Sequence, residues 1–221
     1  MTNIKDDVLS LEEQQALLEK YDPESATRKL KGIMGWVVFG GLLTFSLFQL
    51  YTAIDKPLMA QLQRSVHLGF ALGLVFLLYP ARKSMIKKGK VAWYDFILSL
   101  SGIAVGLYWP IMMEELVMRP GTITSLDFFI GVTAVLLILE ATRRTVGLPI
   151  TIIAILFIIY ALYGPYMPGF LAHRGLELDT FVQTMFFTTE GILGTPLAVS
   201  STFIFLFLLF GAFLIKTGVG E

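Results

Sequence analysis

The chain has 221 residues, of which 55% are hydrophobic and 15% are charged, and its mean hydropathy is +0.72. A soluble domain carries about 25% charged residues, so this composition excludes a soluble enzyme, a soluble nucleic-acid-binding protein and a disordered chain. The formal net charge is zero, which excludes an overall electric field that would attract polyanions. Cysteine is absent, which excludes disulfide bonds and cysteine-ligated metal sites.

The polar part of the chain is concentrated at its start, because the first 31 residues hold 12 of the 34 charged residues. Ser10 and Glu13 have the spacing of a capping box, and the leucines that follow predict a short amphipathic helix ending at Asp22–Pro23. We expect this helix on the cytoplasmic membrane surface. It is either an exposed helix of little consequence or a docking helix for the rest of a membrane complex.

Long charge-free runs follow, and about 20 apolar residues of helix cross a bilayer core of ~30 Å. The sequence therefore predicts an all-α polytopic membrane protein with about six transmembrane helices. The predicted spans are Gly32–Ile54, Ser65–Tyr79, Tyr94–Met113, Leu126–Thr142, Gly147–Tyr163 and Pro196–Ile215. The first run is too long, and the segment before it too polar, for a cleaved signal peptide.

Lysine and arginine near the span ends predict the orientation of the chain. They are abundant in the N-terminal segment, in the 81–93 loop and after the fourth span, and scarcer in the segments between these. The segments after the fifth and the sixth span carry one basic residue each, so this last comparison favours neither side. A cytoplasmic N-terminus follows, and six spans return the chain to that side. The outward-facing segments are then 55–64, 114–124 and 164–190.

The outer segment before the last span contains a further helical pattern. Phe181, Val182, Met185 and Phe186 fall on one face of a helix, with Asp179 near its start. The pattern is too short to cross a bilayer. It predicts a helix lying flat at the outer membrane interface.

Ionisable residues at mid-depth mark ion and proton pathways, and none of the predicted spans carries an acid or a lysine or arginine there. Glu140 is expected to pair with Arg143 and Arg144, which lie three and four residues further on. His67, near the outer end of the second span, is interpreted as a hydrogen-bonded interface histidine, with a proton relay as the alternative.

Small and hydroxylated residues give two further signals within the spans. Gly69-xxx-Gly73 and Gly102-xxx-Gly106 predict close helix packing. In the last span, Ser200, Ser201 and Thr202 either line a polar path or bond back to carbonyls of their own helix. The sequence has no phosphate loop, no histidine pair at metal spacing and no nucleophile elbow, so it predicts neither an ATPase nor another enzyme, and no bound cofactor.

Two stretches carry a resemblance to a known family. Residues 144–150, RTVGLPI, resemble the start of the large membrane subunit of TRAP (tripartite ATP-independent periplasmic) transporters. Residues 189–199, TEGILGTPLAV, and the phenylalanine-rich helix that continues to Gly218 are similar to 4TM/12TM fused permeases of the TAXI-type branch. Residues 1–143 resemble the small subunit in size and topology, with residues 21–25 and 67–72 as supporting motifs.

The resemblance implies a cytoplasmic amphipathic segment (1–31), a four-helix small-subunit-like membrane domain (32–143) and the start of a large-subunit-like permease domain (144–221). It also implies uptake of carboxylate-type solutes across a bacterial or archaeal inner membrane, driven by an ion gradient that is sodium in the family. The family's sodium and substrate sites are expected beyond residue 221. The chain is therefore expected to be an incomplete N-terminal part that does not transport alone.

The implied partners are a periplasmic solute-binding protein, the remaining large-subunit helices and the lipid bilayer, with neither nucleic acid nor an ATPase. Charges at a rim steer encounters between proteins, and the candidate contacts to the binding protein are Glu114, Glu115, Arg174, Asp179 and Glu190. The candidate substrate or ion pathway residues are Ser200, Ser201 and Thr202. The alternative function is a non-transporting membrane scaffold or anchor subunit, and an integral membrane enzyme is a weaker third hypothesis.

Overall fold

The computed structural model describes residues 27–55, 58–82 and 90–218. Within these ranges the regular secondary structure is helical throughout, which confirms the predicted all-α class. The predicted N-terminal amphipathic helix and residues 83–89 of the basic loop lie outside the described residues.

Eight α-helices are numbered here in chain order, and two π-helical turns interrupt the later ones. The helices are α1 (Ile33–Ile54), α2 (Ala60–Leu78), α3 (Trp93–Met118), α4 (Ser125–Thr145), α5 (Leu148–Leu162), α6 (Leu178–Val182), α7 (Thr195–Val199) and α8 (Phe205–Thr217). The π-helical turn Gln183–Phe187 extends α6, and Ser200–Ile204 joins α7 to α8.

In the part of the chain that the structure describes, five helical segments are long and apolar enough to cross a bilayer: α1, α2, α3, α4 and the continuous last helix Thr195–Thr217. The fifth predicted span, Gly147–Tyr163, forms the 15-residue helix α5, which at 1.5 Å per residue is only about 22 Å long. The protein is therefore a polytopic helical membrane protein, and its described residues contain five full-length candidate spans and one shorter apolar helix.

Helix α2 begins at Ala60, five residues before the predicted start of the second span, and therefore includes Arg64. This arginine is tolerated inside the helix because its Nη1 donates to the carbonyl of Leu193 at 2.6 Å. His67 consequently lies two turns into α2 and only 5% of it is exposed. It is hydrogen-bonded as predicted, and its side chain is buried among helices.

Helices α2 and α3 pack together through glycines, as the small-residue pattern predicts. A Cβ built on Gly69 would lie 2.9 Å from the Cα of Gly106, so only glycine permits this separation of the two backbones. Ser65 donates its hydroxyl to the carbonyl of Gly106, and Ser99 to that of Gly73, each at 2.8 Å. These serines add interhelical hydrogen bonds to the close packing.

The helical pattern around Phe181 packs against the bundle. Phe181, Val182 and Phe186 are at most 5% exposed, which confirms the predicted apolar face. A side chain at Gly131 in α4 would overlap Val182, so this glycine provides the space for the contact. The indole of Trp109 in α3 donates to the carbonyl of Phe186 at 3.3 Å, and the short helix is thereby held across α3 and α4.

The long helices alternate in direction, so their termini form two ends of the bundle. Arg28, Asp95 and Arg144 meet at one end, which we call the Asp95 end. Arg119 and Asp127 meet at the other, which we call the Asp127 end. The alternation agrees with the order of spans predicted from the sequence, whereas the side of the membrane on which each end lies remains a prediction.

Candidate functional site

A polar cluster lies inside the bundle where the last long helix contacts α1 and α2. Its members are Gln49 from α1, Gln63 and His67 from α2, and Ser200 and Ser201 from the π-helical turn. All but Ser200 are less than 9% exposed. We call these five residues the His67 cluster.

The hydrogen bonds of His67 define its tautomer. The side-chain amide nitrogen of Gln49 lies 2.5 Å from Nδ1 of His67. In this orientation of the Gln49 amide its nitrogen donates to Nδ1, and a neutral imidazole then carries its ring proton on Nε2. The hydroxyl oxygen of Ser200 lies 3.4 Å from Nε2 and is positioned to accept a hydrogen bond from the Nε2–H group.

The surroundings of His67 are apolar apart from these two partners. The ring of Phe45 lies 5.0 Å from the imidazole and that of Phe205 lies 6.3 Å away, both edge-to-face. Asp and Glu make no hydrogen bond or ion pair to this histidine within the described part of the chain. Each polar group in so apolar a setting has few competing partners, so its hydrogen bonds have well-defined directions.

Gln49 leaves one polar atom of the cluster without a partner. It is 1% exposed, and its side-chain oxygen Oε1 accepts no hydrogen bond. A buried acceptor left unpaired is destabilising by about 1–3 kcal/mol, and such groups in native structures often mark functional positions or bound water. The cluster therefore retains an acceptor that is free for another hydrogen-bond donor.

The predicted hydroxyl triplet is divided between two roles. Ser201 and Thr202 donate to the carbonyl of Ala198 at 3.1 and 2.8 Å, the back-bonding that the sequence left as one of two alternatives. Ser200 instead approaches His67. The carbonyl of Ser201 accepts a hydrogen bond from Gln63 at 3.3 Å. π-helical turns within α-helices occur frequently at functional sites.

The charged residues proposed as binding-protein contacts do not form a common buried site. Glu114, Glu115, Arg174, Asp179 and Glu190 are all exposed. Only Glu115 among them forms an ion pair with a described residue, Arg119, at 4.0 Å. Exposure is compatible with contact to another protein, but the structure does not bring these five side chains together.

A network of buried charges occupies the Asp95 end. Asp95 is completely buried and accepts from Arg28 and, at 2.7 Å, from Arg144. Glu140 accepts from Arg143 and Arg144, each at 2.7 Å, which confirms the predicted local pairs. Arg28 and Arg144 also donate to the last carbonyls of α2, those of Leu77 at 3.0 Å and Tyr79 at 3.1 Å.

A second buried carboxylate organises the Asp127 end. Asp127 accepts from Tyr108 and Arg119, and it forms a capping box with Thr124 at the start of α4. The hydrogen bond from Arg119 to Asp127 raises the pKa of the guanidinium. Next to this cluster is an open cleft of about 340 Å³ between the α3–α4 connection and Gln183, Phe187 and Thr188.

Asp95 and Asp127 lie in the first turns of α3 and α4, and sequence reasoning did not find their long-range partners. It also missed Gln49 and Gln63, although Gln49, a glutamine within the apolar first span, is itself a signal of polar contacts between helices. The described residues contain no cluster of three or more histidine, aspartate or glutamate residues suited to a metal ion. Comparisons with family models, curated proteins and solved structures find no match to the chain.

Proposed function

We propose that the chain is a membrane permease component of a TRAP-type secondary transporter. It would take part in the uptake of carboxylate-type solutes that a periplasmic solute-binding protein delivers, with an ion gradient as the driving force and without ATP. The protein would lie in a bacterial or archaeal inner membrane, with its N-terminus and the Asp95 end in the cytoplasm.

The observation that carries this proposal is the His67 cluster. Its Ser200 and Ser201 lie within the segment whose sequence resembles the large membrane subunit, and Gln49, Gln63 and His67 lie within the part that resembles the small subunit. A buried polar contact with an unpaired acceptor at a π-helical turn supports a role beyond packing. The segment that resembles the large subunit and the part that resembles the small subunit therefore contact each other in this cluster.

The exposed apolar faces of the later helices support a larger assembly. In α5 only Thr151 is buried, and α8 has no buried residue. Lipid covers such faces equally well, but the proposal assigns part of them to further helices of the large subunit. In this arrangement α1 to α4 form the supporting scaffold and the last helix belongs to the transporting part.

Site-specific photo-crosslinking in cells tests the proposal. A photoreactive amino acid at Glu114 or Arg174, both exposed, is expected to crosslink to a periplasmic solute-binding protein in a manner that depends on added solute. The matched control is the same amino acid at Lys90, which is exposed at the opposite end. Crosslinks to membrane proteins alone, unchanged by solute, would contradict the transporter proposal.

The second candidate function is a non-transporting membrane scaffold or anchor subunit. The charge networks favour it, because two fully buried carboxylates connect helix termini. Asp95 joins the start of α3 to the end of α4 and to the segment before α1, and Asp127 joins the start of α4 to the end of α3. A scaffold is expected to tolerate replacement of His67 without any change in solute uptake by the complete transporter. A permease with a functional His67 cluster is expected to lose uptake at unchanged protein level.

A further inference from the structure

A lipid-facing groove runs along α2 between its two neighbours. Its walls come from Val37 and Gly41 of α1, Phe70 and Gly73 of α2, and Ser99 and Ile103 of α3. The lining is apolar except for the hydroxyl of Ser99, which is already bonded to the carbonyl of Gly73. The groove has a volume of about 240 Å³ and is open on one side. It offers apolar contact and no free hydrogen-bonding group.

The length of the groove corresponds to one leaflet of a bilayer. Its lining along α2 runs from Val66 to Leu77, which at 1.5 Å per residue is about 16 Å. Half of a hydrocarbon core of ~30 Å is about the same distance. The groove therefore extends from the Asp95 end of the bundle to the middle of the membrane, which is the depth that one acyl chain occupies.

Positive charge that has no acidic partner within the described ranges lies at the end of the groove where a lipid headgroup would lie. Arg28 fixes the segment before α1, because its backbone N–H donates to Leu78 at 2.8 Å and its guanidinium to Leu77 at 3.0 Å. Leu77 is the last lining residue of the groove on α2. The next residues include Lys29 and Lys31, both exposed and without an acidic partner among the described residues.

Arg28 itself is not available to a ligand. Its guanidinium is buried and paired with Asp95. Leu30, between the two lysines, packs against the apolar cluster that includes the groove residues Leu74 and Leu77. The tethered segment therefore presents two lysine ammonium groups, neither of them paired with an acid among the described residues, near the end of the groove. An anionic phosphate with an attached hydrocarbon chain matches both features, since lysines near a membrane surface favour anionic lipids.

We propose that the groove between α1, α2 and α3 binds one acyl chain of an anionic phospholipid, with its phosphate held by Lys29 and Lys31. The proposal does not depend on a transport function. It requires only that the helices lie in a bilayer, and it assigns a bound lipid to the Asp95 end whichever side of the membrane that end faces.

Native mass spectrometry of the purified full-length chain tests the headgroup contact. We expect phosphatidylglycerol to bind at least tenfold more tightly than phosphatidylcholine, and the double substitution Lys29→Gln and Lys31→Gln to remove most of this preference. The control is Lys216→Gln, an exposed lysine near the end of α8, which is expected to keep it. Equal binding of the two lipids by the unaltered chain, or an equal effect of the control, would overturn the proposal.

A second pair of variants tests the chain contact. Val37 lines the groove and is 49% exposed, so Val37→Phe should fill the groove without disturbing the fold and should lower binding of both lipids severalfold. Leu43→Phe, also at a 49% exposed position of α1 but outside the groove, is the matched control. A phospholipid with a photoreactive group on its chain should label α2 and α3 in preference to α5. Labelling that is equally frequent on α5, or unaffected by Val37→Phe, would contradict the proposal.

Discussion

At the scale of single residues, buried charge in this protein is compensated by partners that are distant in sequence. Asp95 is 0% exposed and accepts from Arg28 and Arg144, which are 67 and 49 residues away. A carboxylate in a low-dielectric interior is tolerated only when such partners surround it. Loss of the Asp95 carboxylate leaves the buried guanidinium of Arg28 without its acidic partner and Arg144 with only one of its two, so the network is sensitive to a change at this residue.

The substitution Asp95→Asn is expected to lower the free energy of unfolding by about 3–5 kcal/mol, because it leaves two arginines without their shared carboxylate. The measurement is unfolding of the purified chain in a denaturing detergent titration. The control is Asp179→Asn at an exposed position with no ion pair to a described residue, for which we expect a change within about 0.5 kcal/mol. Equal stability of the two variants would contradict a role for the network in stability.

Gln49 and His67 are expected to be energetically coupled. Gln49→Leu leaves Nδ1 of His67 without its donor and His67→Leu leaves the Gln49 amide unpaired, and each loss is expected to cost about 1–3 kcal/mol. The double variant removes both polar groups and is expected to be less destabilised than the sum of the two single changes. A double-mutant cycle in the same unfolding assay measures this coupling. Additive effects would show that the 2.5 Å contact contributes nothing of its own.

At the scale of elements, glycine determines how closely α2 and α3 approach. Gly69 and Gly106 face each other with no room for a side chain on either. The hydroxyls of Ser65 and Ser99 bond across the same interface. In a bilayer, where the hydrophobic effect does not drive helices together, such close packing and polar contacts supply the association.

Gly106→Ala is expected to destabilise the protein by about 1–3 kcal/mol, because the new methyl group overlaps the backbone of α2 and forces the helices apart. Gly40→Ala in α1 is the matched control, since a Cβ there meets nothing within 4 Å. The control is expected to be neutral or stabilising because alanine has the higher helix propensity. Thermal unfolding of both variants in one detergent distinguishes the two outcomes.

At the scale of the whole molecule, helix direction and basic residues together predict the topology. The Asp95 end includes Arg28, Arg143 and Arg144, and the exposed Lys29 and Lys31 lie beside it. Cytoplasmic segments carry such an excess of lysine and arginine. The Asp127 end then faces outward together with the connection from α5 to the last helix.

The absence of cysteine from the sequence makes this orientation directly measurable. We expect a single cysteine at Arg174 to react with a membrane-impermeant thiol reagent in intact cells, and one at Lys90 to react only after permeabilisation. Both positions are exposed, so accessibility to the reagent is comparable and the side of the membrane decides the result. The reverse labelling pattern would show that the predicted orientation is wrong.

The sequence by itself determined the features that depend on local pattern. Apolar run length predicted the helices, i+3 and i+4 spacing predicted the Glu140 pairs, and glycine spacing predicted the α2–α3 contact. Each of these depends on residues within a few turns of one helix, so periodicity reveals them. The fifth span was predicted as Gly147–Tyr163, and α5 (Leu148–Leu162) agrees with those bounds to within one residue at each end.

Only the tertiary structure decided which polar residues meet. Gln49 contacts His67 from another helix, and Gln63 and Ser201 are 138 residues apart. Asp95 joins the segment before α1 to the end of α4. Such pairs depend on the rotation of each helix about its axis and on which helices are neighbours. The periodicity of the sequence determines neither, because the position of a single polar residue in an apolar helix does not indicate which residue it contacts.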